Sequence, residues 1–114
     1  MSEGCIFCDI VNKKVRSKIV WESDDFLAFE NLDPAAPVHI LVIPKKHIGK
    51  KDAISGKVEG FWDGLIDATN EVIKKFELDK SGYKLVNNGA GYNHIDHEHM
   101  HVLGGKNWKT KHNP

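Results

Sequence analysis

Apolar residues recur at steps of three and four along one stretch of the chain: Val58, Phe61, Trp62, Leu65, Val72, Ile73 and Phe76, with Thr69 in the same row. The opposite face carries Glu59, Asp63, Asp67, Asn70, Glu71, Lys74 and Lys75. That period predicts an amphipathic helix over 58–76 whose stripe packs against a sheet. Ile6, Phe7, Ile10 and Val11 share the spacing and predict a short helix over 5–12. Elsewhere the pattern is that of strands. Lys18–Glu22 and Phe26–Glu30 flank Ser23-Asp24-Asp25 and read as a hairpin. His39–Ile43 is a nearly continuous apolar run stopped by Pro44, as expected of a strand covered on both faces. Asp79–Gly82 reads as a turn, Tyr83–Asn87 as a strand, and Asn87–Asn93 as a glycine-bearing loop. His97–Leu103 completes the set and ends at Gly104-Gly105. The sum is an α+β domain: an antiparallel five-stranded sheet with one long and one short helix packed on one face.

At 114 residues the chain makes a single domain, 1–114, in which 106–114 is a polar tail apart from Trp108. Lys and Arg number 16, as do Asp and Glu, so the formal charge is zero. That balance argues against nucleic acid or an anionic membrane as the partner. No apolar run approaches the ~20 residues of a bilayer-spanning helix. The polar start, Met1 to Cys5, carries no export signal, so a cytoplasmic location is expected. Cys5 and Cys8 are too few and too close for a disulfide framework and read as metal ligands or a reduced pair.

The informative segment is His97-Glu98-His99-Met100-His101-Val102-Leu103. Strand side chains alternate, so His97, His99 and His101 share one face. Buried imidazoles need hydrogen bonds or a ligand. Two chemistries suit them. Neutral imidazoles ligate zinc, copper, nickel or iron, which would make the chain a small metalloprotein. Alternatively one imidazole is a nucleophile and its neighbours manage charge and protons. The spacing alone does not choose.

The segment resembles the signature of the histidine-triad nucleotide-binding family, in which three histidines alternate with apolar residues. Cys5-Ile-Phe-Cys8, Phe26-Leu-Ala-Phe29, Leu32-Asp-Pro-Ala-Ala-Pro37, His39-Ile-Leu-Val-Ile-Pro-Lys-Lys-His47 and Asn87-Asn-Gly89 are similar to further family segments. Val102-Leu-Gly-Gly105 resembles the branch that hydrolyses purine nucleoside phosphoramidates. The resemblance implies an enzyme in which His99 attacks the α-phosphorus of a nucleoside 5′-phosphoramidate or related adenylate, forming a nucleotidyl-histidine. It implies that His101 steadies the phosphate, that the His97 backbone orients the nucleophile, and that His39 lies beside the phosphate. It assigns the base slot to Phe7, Ile10, Phe29 and Leu32, and contacts to phosphate and ribose to Asn87 and Asn31. The ligand expected is an AMP-like purine nucleotide.

Three departures bear on that expectation. Asn31 stands where the family commonly has Asp, and Asn93 and His94 replace Gln and Ser/Thr ahead of the triad. Glu98 replaces an apolar residue and should find solvent or a polar contact behind the strand. These changes motivate an alternative: a nucleotide-binding, zinc-stabilised interaction module with weak or vestigial catalysis.

Cys5-x-x-Cys8 supplies two ligands of a tetrahedral zinc site and needs two more. The resemblance supplies them as His47 and His97, with His94 the competitor for the fourth place. The resemblance also implies a homodimer, with the sheet continued across a two-fold axis and the tail, including Trp108, reaching the partner's ligand. Phe61 and Trp62 are the expected apolar anchors on the long helix.

Overall fold

Strands β1 (Ile19–Glu22), β2 (Phe26–Glu30), β3 (Val38–Pro44), β4 (Tyr83–Val86) and β5 (Met100–Gly104) form one antiparallel sheet in the order β1-β2-β3-β5-β4. The structure, a computed structural model, describes residues 4–105, so Trp108 and the expected tail lie outside the described residues. Ser23 turns the first hairpin by accepting the Phe26 N–H on its Oγ at 3.1 Å. In the centre, β3 is buried from His39 to Pro44, as its unbroken apolar run requires.

Alternation along β2 and β3 creates two cores. Phe26, Ala28, Ile40 and Val42 point to one face, where they meet Leu65, Ala68 and Val72 of the long helix α3 (Phe61–Lys75), numbered in chain order. Leu27, Phe29, Leu41 and Ile43 point to the other face, against Phe7, Cys8 and Ile10 of α1 (Ile6–Val11). The helices therefore cover opposite faces rather than one. A single layer would leave that second apolar row in water, and burial of each such side chain contributes about 1.5–3 kcal/mol.

The long helix starts later than its stripe suggests. Gly60 holds a left-handed φ of 73° at the N-cap, which sets the first helical residue at Phe61. Within α3, Gly64 faces Phe26 so closely that a Cβ would come within 2.7 Å of the ring. Two further short helices, α2 (Lys50–Ser55) and α4 (Leu78–Ser81), occupy segments where no periodic stripe is long enough to be read. Phe61 is buried in the chain's own core. Trp62 is half-buried and donates its indole N–H to the Ala53 carbonyl at 2.9 Å, so neither is a free anchor. β4 is an edge strand, and among the described residues Tyr83 and Leu85 of β4 and Ile66 of α3 are exposed.

The last strand also starts later, at Met100 instead of His97. Its partner β3 ends at Pro44, which has no N–H for the ladder, and the final register pair is Val42 with Met100. Glu98 is tied to the chain beyond β3 instead: its N–H donates to the Ile48 carbonyl at 2.7 Å. Among the described residues no helix is long and apolar enough to cross a membrane.

Candidate active site

His39, His99 and His101 lie on the α1 face of the sheet, and His99 and His101 line a cavity of about 360 Å³. Their protonation follows from their partners. The Ala35 N–H donates to His39 Nδ1 at 3.0 Å, so the neutral His39 ring carries its proton on Nε2. That Nε2–H donates to His101 Nδ1 at 2.9 Å, which leaves the His101 proton on Nε2. One backbone amide thus sets two tautomers in series. His99 is set separately: its Nδ1–H donates to the His97 carbonyl at 2.8 Å, leaving an Nε2 lone pair. Phe7 packs edge-on to the His99 ring, with centroids 5.0 Å apart. Burial holds His101 well below the ordinary 6.5, at about 4, and also lowers His99 and His39. All three rings are accordingly neutral at pH 7. A neutral, tautomerically fixed imidazole beside an N–H donor can attack an electrophile and stabilise the charge that develops.

The cavity brings together most of the residues expected around a ligand. Phe7, Ile10 and Phe29 form an apolar slot, Leu32 stands at 83% exposure on its rim, and Asn31 and His94 complete the wall. Asn31 turns its Oδ1 to the Asp33 N–H at 2.9 Å, and its Nδ2 lies 3.4 Å from His39 Nε2. Tyr92, at 79% exposure, and Ser17 also line the cavity, and neither stands out in the sequence. Ser17 Oγ is buried and finds no hydrogen-bond partner among the described residues.

Asn87 and Asn93 are not part of this cavity. They line another, with Lys50, Lys51 and Asp96, on the far side of the triad segment. Asn87 is committed there: its Nδ2 donates to the His99 carbonyl at 3.0 Å and its Oδ1 accepts from Lys50 Nζ. Glu98 faces away from the histidine cavity as expected, and its polar contact is an ion pair with Lys50 at 2.7 Å. The sequence signal for Lys50 was Glu98 itself, since a buried carboxylate needs a counter-charge.

Next to the triad, Cys5, Cys8, His47 and His97 place their ligand atoms within 4.8 Å of one another. His97 Nε2–H donates to the Pro44 carbonyl at 2.8 Å, so its Nδ1 lone pair faces Cys5 Sγ and Cys8 Sγ, each at 3.4 Å. His47 Nδ1 lies 3.3 Å from Cys8 Sγ. A tetrahedral zinc ion with ordinary Zn–S and Zn–N bonds requires S-to-N separations of about 3.5 Å. The donor set and spacing fit. His94 is not in the cluster; it lines the cavity of His99 and His101. Burial pushes the Cys5 thiol above its ordinary 9.0 and holds the His97 imidazole down at about 4. A neutral His97 is the form that ligates a metal, and metal binding would drive the thiols to thiolates.

The sequence pattern of the HIT domain family matches residues 12–108. An uncharacterized HIT-like protein of Buchnera aphidicola is 35% identical over 103 residues, covering 89% of this chain and 92% of that protein. A structure described as a HIT family hydrolase from Clostridium thermocellum superposes with a TM-score of 0.86 at 32% identity, over 97% of this chain and 98% of the other. The structure of a histidine triad nucleotide-binding protein from Candida albicans gives 0.79 at 27% identity, over 90% and 76%.

Proposed function

Because the chain belongs to the HIT domain family, we propose that it is a hydrolase acting on a purine nucleoside 5′-phosphoramidate or related adenylate, through a nucleotidyl-histidine on His99. The observation that carries this reading is the bond from His99 Nδ1–H to the His97 carbonyl, which leaves a nucleophilic nitrogen in a ring that lines the ligand cavity. The descriptions of the two solved relatives, a hydrolase and a nucleotide-binding protein, support the reaction class and the ligand class.

In this reading the purine enters the slot of Phe7, Ile10, Phe29 and Leu32, with Asn31 toward the ribose. His99 Nε2 bonds to the α-phosphorus while the bond from phosphorus to the leaving amine breaks. His94, on the cavity wall, supplies the proton that the amine takes away. The His99 ring becomes cationic, and its bond to the His97 carbonyl becomes charge-assisted and stronger. His101 Nε2–H donates to a phosphoryl oxygen as charge builds there, and His39 keeps that proton in place. Water then attacks the phosphorus and releases the monophosphate. Its surplus proton returns to His94, and His99 returns to its neutral Nδ1–H form.

Cys5, Cys8, His47 and His97 would hold a zinc ion, whose contribution is a cross-link between the start of α1 and the two ends of the site. Such a staple matters in a domain this small. The open side of β4, with Tyr83 and Leu85, suits pairing with a second copy about a two-fold axis. Mass spectrometry after incubation with adenosine 5′-phosphoramidate tests the reaction: a nucleotidyl adduct on His99 is expected. AMP binding without adduct or turnover would make the chain a zinc-stabilised nucleotide-binding module instead.

A further inference from the structure

The chain departs from the triad's apolar alternation at Glu98, and the ladder stops at the same place. The registers of β5 with β3 and β4 begin at Met100 and His101, so the peptide of His99 lies just outside them. Backbone groups beyond a ladder need other partners, and here side chains supply them. The His99 N–H donates to Glu98 Oε1 at 3.3 Å, and the His99 carbonyl accepts from Asn87 Nδ2 at 3.0 Å. One cation joins the two clamps. Lys50 Nζ donates to Glu98 Oε2 at 2.7 Å and to Asn87 Oδ1.

Lys50 is itself fixed from three sides. Asp96 Oδ1 accepts its backbone N–H at 3.0 Å, which caps α2 onto the triad segment. Its ammonium sits 5.8 Å from the centre of the Trp62 ring. The Glu98 side chain that it neutralises is only 2% exposed, and such a carboxylate holds its place only while paired.

We propose that Lys50 is a positioning residue for the nucleophile, fixing the peptide on both sides of His99 through Glu98 and Asn87. The inference rests on the reading of His99 as nucleophile. Its core is a difference between neighbours. His101 is held in the ladder, opposite Leu41 and Val86. His99 is held by the clamp. The angle between the attacking nitrogen and the phosphate-steadying N–H is therefore set by Lys50 and its two partners. The bond from His99 Nδ1 to His97 fixes the ring only relative to its own segment.

The test compares wild type with the Lys50→Met/Glu98→Leu double variant, with Lys50→Arg and with Asn87→Leu. The double variant removes both charges and restores an apolar residue between the histidines. Asn87 is exposed, so its variant leaves the core alone. The readouts are the single-turnover rate of adduct formation from adenosine 5′-phosphoramidate, the Kd for AMP, and the ¹⁵N spectrum of the His99 ring. Adduct formation should fall about 10- to 100-fold in the double variant and in Asn87→Leu, the range expected of an ångström-scale misplacement. The Kd should stay within about twofold, and Lys50→Arg should recover most of the rate by bridging the same two partners. Wild-type adduct rates in the double variant and in Asn87→Leu would overturn the proposal, as would a loss confined to Kd. If wild type itself forms no adduct, the functional reading fails separately. The ring spectrum then decides: a displaced His99 Nε2 resonance in the variants, with the Nδ1–H form kept, supports positioning, and a spectrum identical to wild type overturns it.

Discussion

His97 and His99 are joined through the backbone of one and the ring of the other: the His97 carbonyl accepts from His99 Nδ1–H at 2.8 Å. The His97 ring, meanwhile, turns its Nδ1 to the two cysteines. One residue therefore sets the tautomer of His99 and closes the cluster of Cys5, Cys8, His47 and His97, so the two sites share His97.

His99→Ala should abolish turnover while the fold persists. The side chain ends in a cavity and its backbone is held by other groups, so truncation removes the covalent route with little disturbance. We expect a loss of at least about 10³-fold in kcat, the scale seen when a nucleophile is deleted, with AMP still bound by calorimetry. Activity near wild type in this variant would exclude His99 as nucleophile.

Purified protein should carry about one zinc per chain, as a closed four-ligand site does. A chelator should lower the melting temperature by several degrees, because an ion bound only by the folded state adds about 2.7 kcal/mol at a hundred times its Kd. Cys5→Ser/Cys8→Ser should melt low with or without chelator. Elemental analysis finding no metal after chelator-free purification would return the cysteines to plain packing.

Stability should decline in mild acid. Burial holds His101 at about 4, against an ordinary 6.5. Between those values the folded chain binds fewer protons than the unfolded one, so stability is full above about pH 6.5 and is lost as pH falls toward 4. Burial moves His39 and His99 in the same direction. Urea unfolding of the zinc-free Cys5→Ser/Cys8→Ser background at pH 7 and 4.5 checks this. Adding His101→Asn should flatten the slope, and an equal slope in both would count against burial of a neutral His101.

Light scattering should give a mass of roughly twice one chain, through the open side of β4. Leu85→Lys should move the mass toward the 12.8 kDa of a single chain. If wild type already runs at that mass when concentrated, Tyr83, Leu85 and Ile66 are covered in some other way.

The sequence determined what depends on local order. The 3.6 period from Phe61 to Phe76, the unbroken apolar run of β3 and the alternation of His97, His99 and His101 each follow from backbone geometry, which repeats within a few residues. So does the bite of Cys5 and Cys8, held on one turn of α1. Tertiary structure decided what depends on residues far apart in the chain. It put α1 and α3 on opposite faces, because β2 and β3 carry apolar side chains both ways. It buried Phe61 and committed Trp62 to Ala53 and Lys50. It ended the β3–β5 pairing at Met100, since Pro44 offers no N–H, and thereby left His99 to side-chain clamps. It also drew Asn87 behind His99, onto Lys50, 37 residues away in sequence. No local pattern encodes that contact, because the hydrogen bond depends only on where two distant strands and a helix end come together.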